Sequence, residues 1–398
     1  MHSGTENVLS LSELTKSMDR VEAWVEKYNY KGYEPFDGLG SPFRVFTFGS
    51  IFLDRLLMQA VRQSPVNLRP ILGIPRKDST KGRGYMAWGY LTRYRATKNP
   101  DHLKKAEACL DWLDGHKSPS FEKHSWSNSF DFASRGGRYT KNDPIIVWTS
   151  HITHAYLDAF EITGNQRWLK IADSACQWIM ALPRNRTETG NCLGYLASSR
   201  NPTIHNASML GAAALARTGK HTGNAAYTEV ARSAIEYTCS RQLPDGAWWY
   251  GETENAHWID SFHTGYNLDS LLYYMEATGD DAWRSHLMKG ISYYKNHFFG
   301  PDGRPHYYHN RAYPIDSQCA GQGIETLTLF SDLDPECLPL AQKVATWTIN
   351  NMQAADGHFH YRHYPWGKAK TGMLHWSQGV IYKGLSVLTL KLESTGRS

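Results

Sequence analysis

Glu252, Asp260, His263 and Tyr266 bring four side chains that carry or exchange protons into one short span, RQLPDGAWWYGETENAHWIDSFHTGYNLDSLLYY, residues 241–274. Carboxylates, imidazole and phenol so gathered are the raw material of general acid–base catalysis. The span reads as a turn, an aromatic loop and the polar first turn of an apolar helix. That places Asp260 and His263 at an open helix end and Tyr266 one turn deeper. Asp260 is expected to cap the helix, a role that does not exclude one in chemistry. A second loop, HYYHNRAYPID at residues 306–316, presents Tyr308, His309, Arg311 and Asp316. An arginine close to tyrosine and histidine suits removal of a proton next to a carboxylate. The cation neutralises the carboxylate while acid and base groups flank the carbon. Glycoside hydrolysis would instead need two carboxyl groups astride the bond. Glu252, Asp260 and Asp316 are the candidates, with Asp37 and Asp143 in reserve.

Binding residues are expected among the aromatic side chains and histidines. Aromatic residues make up 13% of the chain, with 14 Trp and 23 Tyr, a surplus that suits stacking on sugar rings as well as packing between helices. Trp88, Trp249 and Trp258 are the platforms favoured here, with His151, His205 and Gln322 as hydrogen-bonding partners for hydroxyls. His151, His154 and His205 could in principle hold zinc, but no acidic partner or metal spacing accompanies them, so no metal and no other cofactor is expected.

These residues need a scaffold, and the chain repeats one. Apolar helices are expected at residues 85–96, 148–162, 206–217, 262–277, 317–330 and 376–390. Each of the first five is followed by a short turn (KNPD, TGN, TGN, TGD, SDLDPE) and a more amphipathic helix, such as 168–180 or 283–298. The sixth lacks such a partner, and an N-terminal helix over 12–28 can supply it, closing a ring of six hairpins over residues 1–398 as one domain. Asp-Gly turns recur at Asp245, Asp302 and Asp356 in three successive units. The fold class is therefore all-α, an (α/α)6 toroid with apolar inner helices and charged outer ones. The connections between hairpins (115–147, 182–205, 241–261, 300–316 and 356–375) are long and share one face, where a site is expected. Within them residues 115–142, with Trp126, Arg135 and Arg138, read as a lid or a mobile loop.

Two motifs carry a resemblance. Asp260-Ser-Phe-His263-Thr264-Gly and Gly321-Gln322-Gly-Ile324 resemble elements of the C-terminal helical domain of glucuronyl 5-epimerases, which act on heparosan-type polysaccharides. The general plan is also similar to unsaturated glucuronyl hydrolases and toroidal polysaccharide lyases. The resemblance implies action on a uronic-acid polysaccharide or glycan, with Tyr266, His263, Tyr308 and His309 as acid and base and Arg311 and Arg76 holding the carboxylate. A lyase would share the first step and then expel the C4 substituent. A non-catalytic glycan-binding or assembly protein is the remaining alternative, because fold alone does not fix chemistry.

Composition narrows the partners. The 43 basic and 38 acidic residues leave a net charge of +5 with no Lys/Arg run, which argues against nucleic acid. No stretch approaches the length of a membrane span, and MHSGTENVLSLSELTKSMDR lacks the shape of a signal peptide. Six scattered cysteines without C-x-x-C spacing read as buried thiols of a reducing compartment, so a cytoplasmic setting is expected.

Overall fold

The computed structural model describes residues 8–134 and 137–396; Arg135 and the first seven residues lie outside the described residues. In chain order the helices are α1 (Leu11–Lys27), α2 (Ile51–Gln63), α3 (Thr80–Thr97), α4 (Pro100–Asp114), α5 (Ile146–Thr163), α6 (Gln166–Met180) and α7 (His205–Thr222). Next come α8 (Ala225–Cys239), α9 (Ser261–Thr278), α10 (Arg284–His297), α11 (Ser317–Leu329), α12 (Cys337–Met352) and α13 (Val380–Gly396), the last entered through a π-helical turn, Leu374–Gly379.

Among the described residues α3, α5, α7, α9, α11 and α13 each pack on the next, and α13 returns to α3. The inner ring is closed. The outer helices α4, α6, α8, α10 and α12 back the inner helices that precede them, and α1 backs α13. The fold is the all-α toroid expected.

The short turns repeat one piece of local chemistry. Thr97, Thr163, Thr222 and Thr278 end their inner helices by donating to the carbonyl four residues back, at 2.7–3.0 Å. Each hydroxyl also accepts the N–H of the residue two further on, an Asn or Asp that caps the next helical turn. Gly164, Gly223 and Gly279 supply the left-handed residue in between, with φ of 69–72°. Inner helices are buried nearly all round, so they demand close approach. At the contact of α13 with α11, a Cβ on Gly384 would lie 2.5 Å from the Gly321 carbonyl oxygen.

Four small antiparallel sheets brace the long connections: β1 (Lys31–Gly32) with β2 (Lys77–Asp78), β3 (Phe132–Ser134) with β4 (Gly137–Tyr139), β5 (Arg184–Thr187) with β6 (Gly190–Leu193), and β7 (Ile315–Asp316) with β8 (Arg362–Tyr364) and β9 (Gly367–Ala369). Residues 33–76, with α2, form an excursion outside the hairpin repeat. Their stem pairs Lys31 with Asp78 and sets Tyr33 beside Met373, so the excursion lies over the end of the ring where α3 and α13 begin. Helix α2 packs on β3, and Arg138 of β4 donates to Asp54 of α2 at 2.7 Å. The described part of 115–142 is thus joined to the excursion in one cover, anchored by the buried Trp126, whose Nε1 donates to the Leu113 carbonyl at 2.9 Å. All six cysteines are unpaired and buried.

Gly384→Ala forces a methyl against backbone that cannot turn aside. It should destabilise the protein by about 1–3 kcal/mol, read as a lower urea midpoint. Gly396→Ala, with nothing within 4 Å, should leave the midpoint unchanged.

Candidate active site

The inner helices begin at the covered end, and Asp260 caps one of them, α9. Its Oδ1 accepts the His263 N–H at 3.1 Å, and its Oδ2 accepts Trp258 Nε1 at 3.0 Å and lies 2.7 Å from His263 Nδ1. The cap is also the orienting partner of the imidazole. With Nδ1 engaged, Nε2 is the atom left to give or take a proton. His263 lies among aromatic rings, 3.9 Å from Phe262 and 4.6 Å from Tyr250, centroid to centroid. A narrow crevice beside it is lined by Asn206, Trp249, Tyr250, Asp260, His263 and Asn267 among others.

One turn deeper, the buried Tyr266 hydroxyl is a junction. Lys81 Nζ donates to it at 3.2 Å, Gln318 Nε2 donates at 2.9 Å, and the Tyr85 hydroxyl lies 2.9 Å away. Lys81 stands on the first turn of α3, capped by Ser79, with its ammonium 4.8 Å from the Trp148 ring centroid and 5.2 and 5.4 Å from those of Tyr85 and Tyr266. Burial, and after it the charge of Lys383, lowers the Lys81 pKa to about 7 against the opposing pull of Glu34. Burial pushes Tyr266 well up, so the phenol keeps its proton where the lysine exchanges one. His151 packs on both tyrosine rings, 5.1 Å from Tyr85 and 4.8 Å from Tyr266, and its Nε2 has no hydrogen bond. Burial, then Lys81 and Lys383, holds it well below the usual histidine range. It is a neutral neighbour of the lysine. Glu34 reaches in from the excursion: Oε1 accepts the His375 N–H at 3.0 Å, and Oε2 lies 2.6 Å from His375 Nδ1 at an angle poor for a hydrogen bond.

Of the residues expected from the sequence, Asp260, His263, Tyr266, His151, Trp249 and Trp258 gather around this crevice and junction, and Tyr308 bridges to Asp260 through backbone pairing. Trp88 and Gln322 lie deeper on the axis. Trp88 Nε1 donates to Asp158 at 3.0 Å, and Gln322 Nε2 donates to Asp269 at 2.6 Å. Asp316 caps α11, accepts Trp376 Nε1 at 2.8 Å and pairs with the buried Arg362, so its charge is already matched.

Others lie elsewhere. Glu252 accepts from His205 at 2.7 Å; His205 in turn packs on Tyr237 of the outer helix α8, and that bond holds the Glu252 carboxyl below its ordinary range. His309 Nδ1 meets the Tyr293 hydroxyl of the outer helix α10 at 2.6 Å. Arg311 is exposed and covers the Tyr308 ring at 4.1 Å. Arg76 stacks on Tyr28 at 3.9 Å and on Tyr33 at 4.8 Å, at the seam with α1, a place where it ties the excursion to the ring. Sequence reasoning did not single out Lys81, Tyr85, Glu34, His375 or Arg362 as site residues. Ser79 was the available signal for Lys81: a capping residue three before Gly82 marks a helix start earlier than Tyr85. Among the described residues no group of three or more His, Cys, Asp or Glu is placed to hold a metal.

An inner ring of helices with acids, imidazole, phenols and a low-pKa lysine under long loops defines a carbohydrate-active enzyme of the (α/α)6-toroid class. Residues 119–355 match the family described as Glycosyl hydrolase family 76, and the chain belongs to that family. No curated protein matches the sequence. Among solved structures the chain is similar to an unsaturated glucuronyl hydrolase specific for heparin (TM-score 0.67, 13% identity, 97% of this chain and 98% of that one). It is also similar to cellobiose 2-epimerase from Bacillus thermoamylovorans (TM-score 0.65, 10% identity, 81% and 90%). A third is the family 76 alpha-mannanase from Bacteroides thetaiotaomicron (TM-score 0.62, 13% identity, 80% and 88%). At such identities the likeness is one of fold.

A lysine titrating in the folded protein at about 7, against about 10.4 when unfolded, binds its proton more weakly in the native state. The cost of burying the charge is therefore present in full below pH 7 and disappears as pH rises toward 10. Lys81→Met should raise the thermal midpoint most at pH 6, with the gain shrinking steadily between pH 7 and 10.

Proposed function

We propose that the protein is a 5-epimerase of a uronic-acid-containing glycan, working by proton removal and return next to the carboxylate. The observation that carries this reading is the hydrogen bond between Lys81, with its pKa near 7, and Tyr266, one helical turn from the Asp260-oriented His263. Two proton carriers, Lys81 of α3 acting with Tyr266 and His263 of α9, supply what epimerisation needs. One takes the C5 proton, leaving the electron pair delocalised into the carboxylate, and the other returns a proton to the opposite face. The free amine of Lys81 is the base of one site, and the Tyr266 phenol, fixed by Gln318 and Tyr85, is placed to pass a proton to it. Six buried thiols support a reducing, cytoplasmic setting for this work.

Membership of a glycosyl hydrolase family favours a second reading, hydrolysis, with Asp260, which lines the crevice, and Glu34, whose charge acts on Lys81, as the carboxyl groups. One experiment separates the two. In deuterated water with uronate oligosaccharides, epimerisation should place deuterium at C5 without shortening the chain. New reducing ends without deuterium, from uronate or mannan oligosaccharides, would favour hydrolysis, and a new unsaturated chromophore a lyase. Absence of all three would sink the enzymatic readings tested.

If Lys81 is the base, kcat/KM should climb with pH through about 7 as the free amine forms. Lys81→Met should lose that inflection together with roughly 100-fold or more in rate. Tyr266→Phe should lower the rate similarly while leaving KM within a few-fold, and Asp260→Asn should weaken catalysis through His263.

A further inference from the structure

The strongest feature left unused by the site is the outer surface of its cover. Between residues 43 and 56 the chain reads FRVFTFGSIFLDRL, and Phe43, Val45, Phe46, Phe48, Phe52 and Leu56 are all exposed. Phe48 is 84% exposed, at the tip where the 3-10 turn Pro42–Thr47 gives way to α2, and Phe52 is 67% exposed. Soluble surfaces seldom gather large apolar side chains so densely without a partner. Helix α2 makes the point sharper. Asp54, Met58 and Val61 face inward and are buried, so an ordinary amphipathic helix would be polar on its other face; here that face carries Ile51, Phe52 and Leu56.

Three observations say what covers it. First, charge: residues 42–73 contain a single acid, Asp54, which is buried and matched by Arg44 and Arg138; of the four arginines in the segment Arg69 is buried against Asp37 and Arg44 is paired, which leaves the half-buried Arg55 and Arg62 of α2 as its excess positive charge. The neighbouring Asp131 is itself paired with Arg44. Second, the rim: Gly367 lies against Pro65, which brings the β8–β9 hairpin to the patch, and Trp366, 65% exposed and stacked on Tyr364, stands on its turn with Lys368 and Lys370 exposed beyond it. Tryptophan and tyrosine beside lysines at the edge of an apolar patch are the composition of a bilayer interface. Third, the apolar side chains available for insertion, Val45, Phe46 and Phe48, stand exposed on one short turn.

We infer that residues 42–66 and the Trp366 hairpin dock the enzyme peripherally on an anionic lipid surface. The attachment is interfacial; no helix among the described residues is long and apolar enough to cross a membrane. The patch is the outside of the cover whose inside reaches Glu34 and His375, so docking sets the covered end of the ring toward the bilayer. This inference is independent of the reaction assigned above.

The test is sedimentation of the full chain with phosphatidylcholine vesicles made with and without phosphatidylserine, using Phe48→Asp, Phe52→Asp and Arg55→Glu. The protein should sediment with the anionic vesicles, and less so in high salt. Each aspartate variant should weaken that binding by roughly tenfold or more, with unchanged circular dichroism and melting because both side chains are exposed. Arg55→Glu should weaken binding to anionic vesicles alone. Failure to bind either vesicle, or binding unaffected by Phe48→Asp, overturns the proposal. So does equilibrium sedimentation showing that the patch pairs two copies of the chain and that Phe48→Asp merely separates them.

Discussion

Lys383 sits at the centre of the ring with no exposed surface to speak of, and the tuning of the groups around it depends on how its charge is met. Its ammonium donates to Glu325 of α11 at 2.7 Å and lies 3.9 Å from the Trp88 ring of α3, so one side chain of α13 touches both neighbours across the closure of the ring. A buried pair of this kind contributes little net stability compared with an apolar core, because desolvation offsets the attraction. Its consequence lies in the field it creates. Lys383 lowers Lys81 and His151 above it, while burial and the Glu325 charge push Asp269 beside it well up. The protonation of Lys81 and His151 at the covered end is thus tuned from a layer deeper in the ring.

The same helix-cap position is used in two different ways. Asp260 and Asp316 each begin an inner helix, each accepts a backbone N–H and each accepts a tryptophan Nε1. Asp260 then turns its remaining lone pairs to His263, a group that exchanges protons, whereas Asp316 turns them to Arg362, a group that does not. Repetition supplies the cap, and the partner decides whether the position is chemical or structural.

The ring was legible in the sequence because it depends on short-range chemistry. Thr-Gly-Asn turns, Asp-Gly turns and apolar helical spacing are written within a few residues of where they act. Asp260, His263 and Tyr266 were legible for the same reason, being spaced along one helix. Lys81 was not, because Gly82 and Gly84 make TKGRGY look like loop. Both glycines are helical, and they serve packing: a Cβ on Gly82 would meet Leu374 at 2.9 Å and one on Gly84 would meet Ile152 at 2.7 Å. Local propensity pointed one way and the crowded ring won. Glu34 and His375 met a different limit, since their contact joins the two ends of the chain and leaves no trace in spacing. Arg76 and His309 show the converse, side chains of the right chemistry turned toward an outer helix by aromatic neighbours.

Closure of the ring by α1 against α13 also orders events in time. On the ribosome α1 emerges first, yet the surface it backs is made last, after every intervening hairpin. Until then α3 lacks one of its two inner neighbours, and the apolar faces of Val21 and Trp24 have no ring to rest on. The hairpins can each form as they appear, since their contacts are local, but among the described helices the last seam has the greatest sequence separation. The nascent chain thus spends almost its whole synthesis as an open arc, and becomes a circle only at the end.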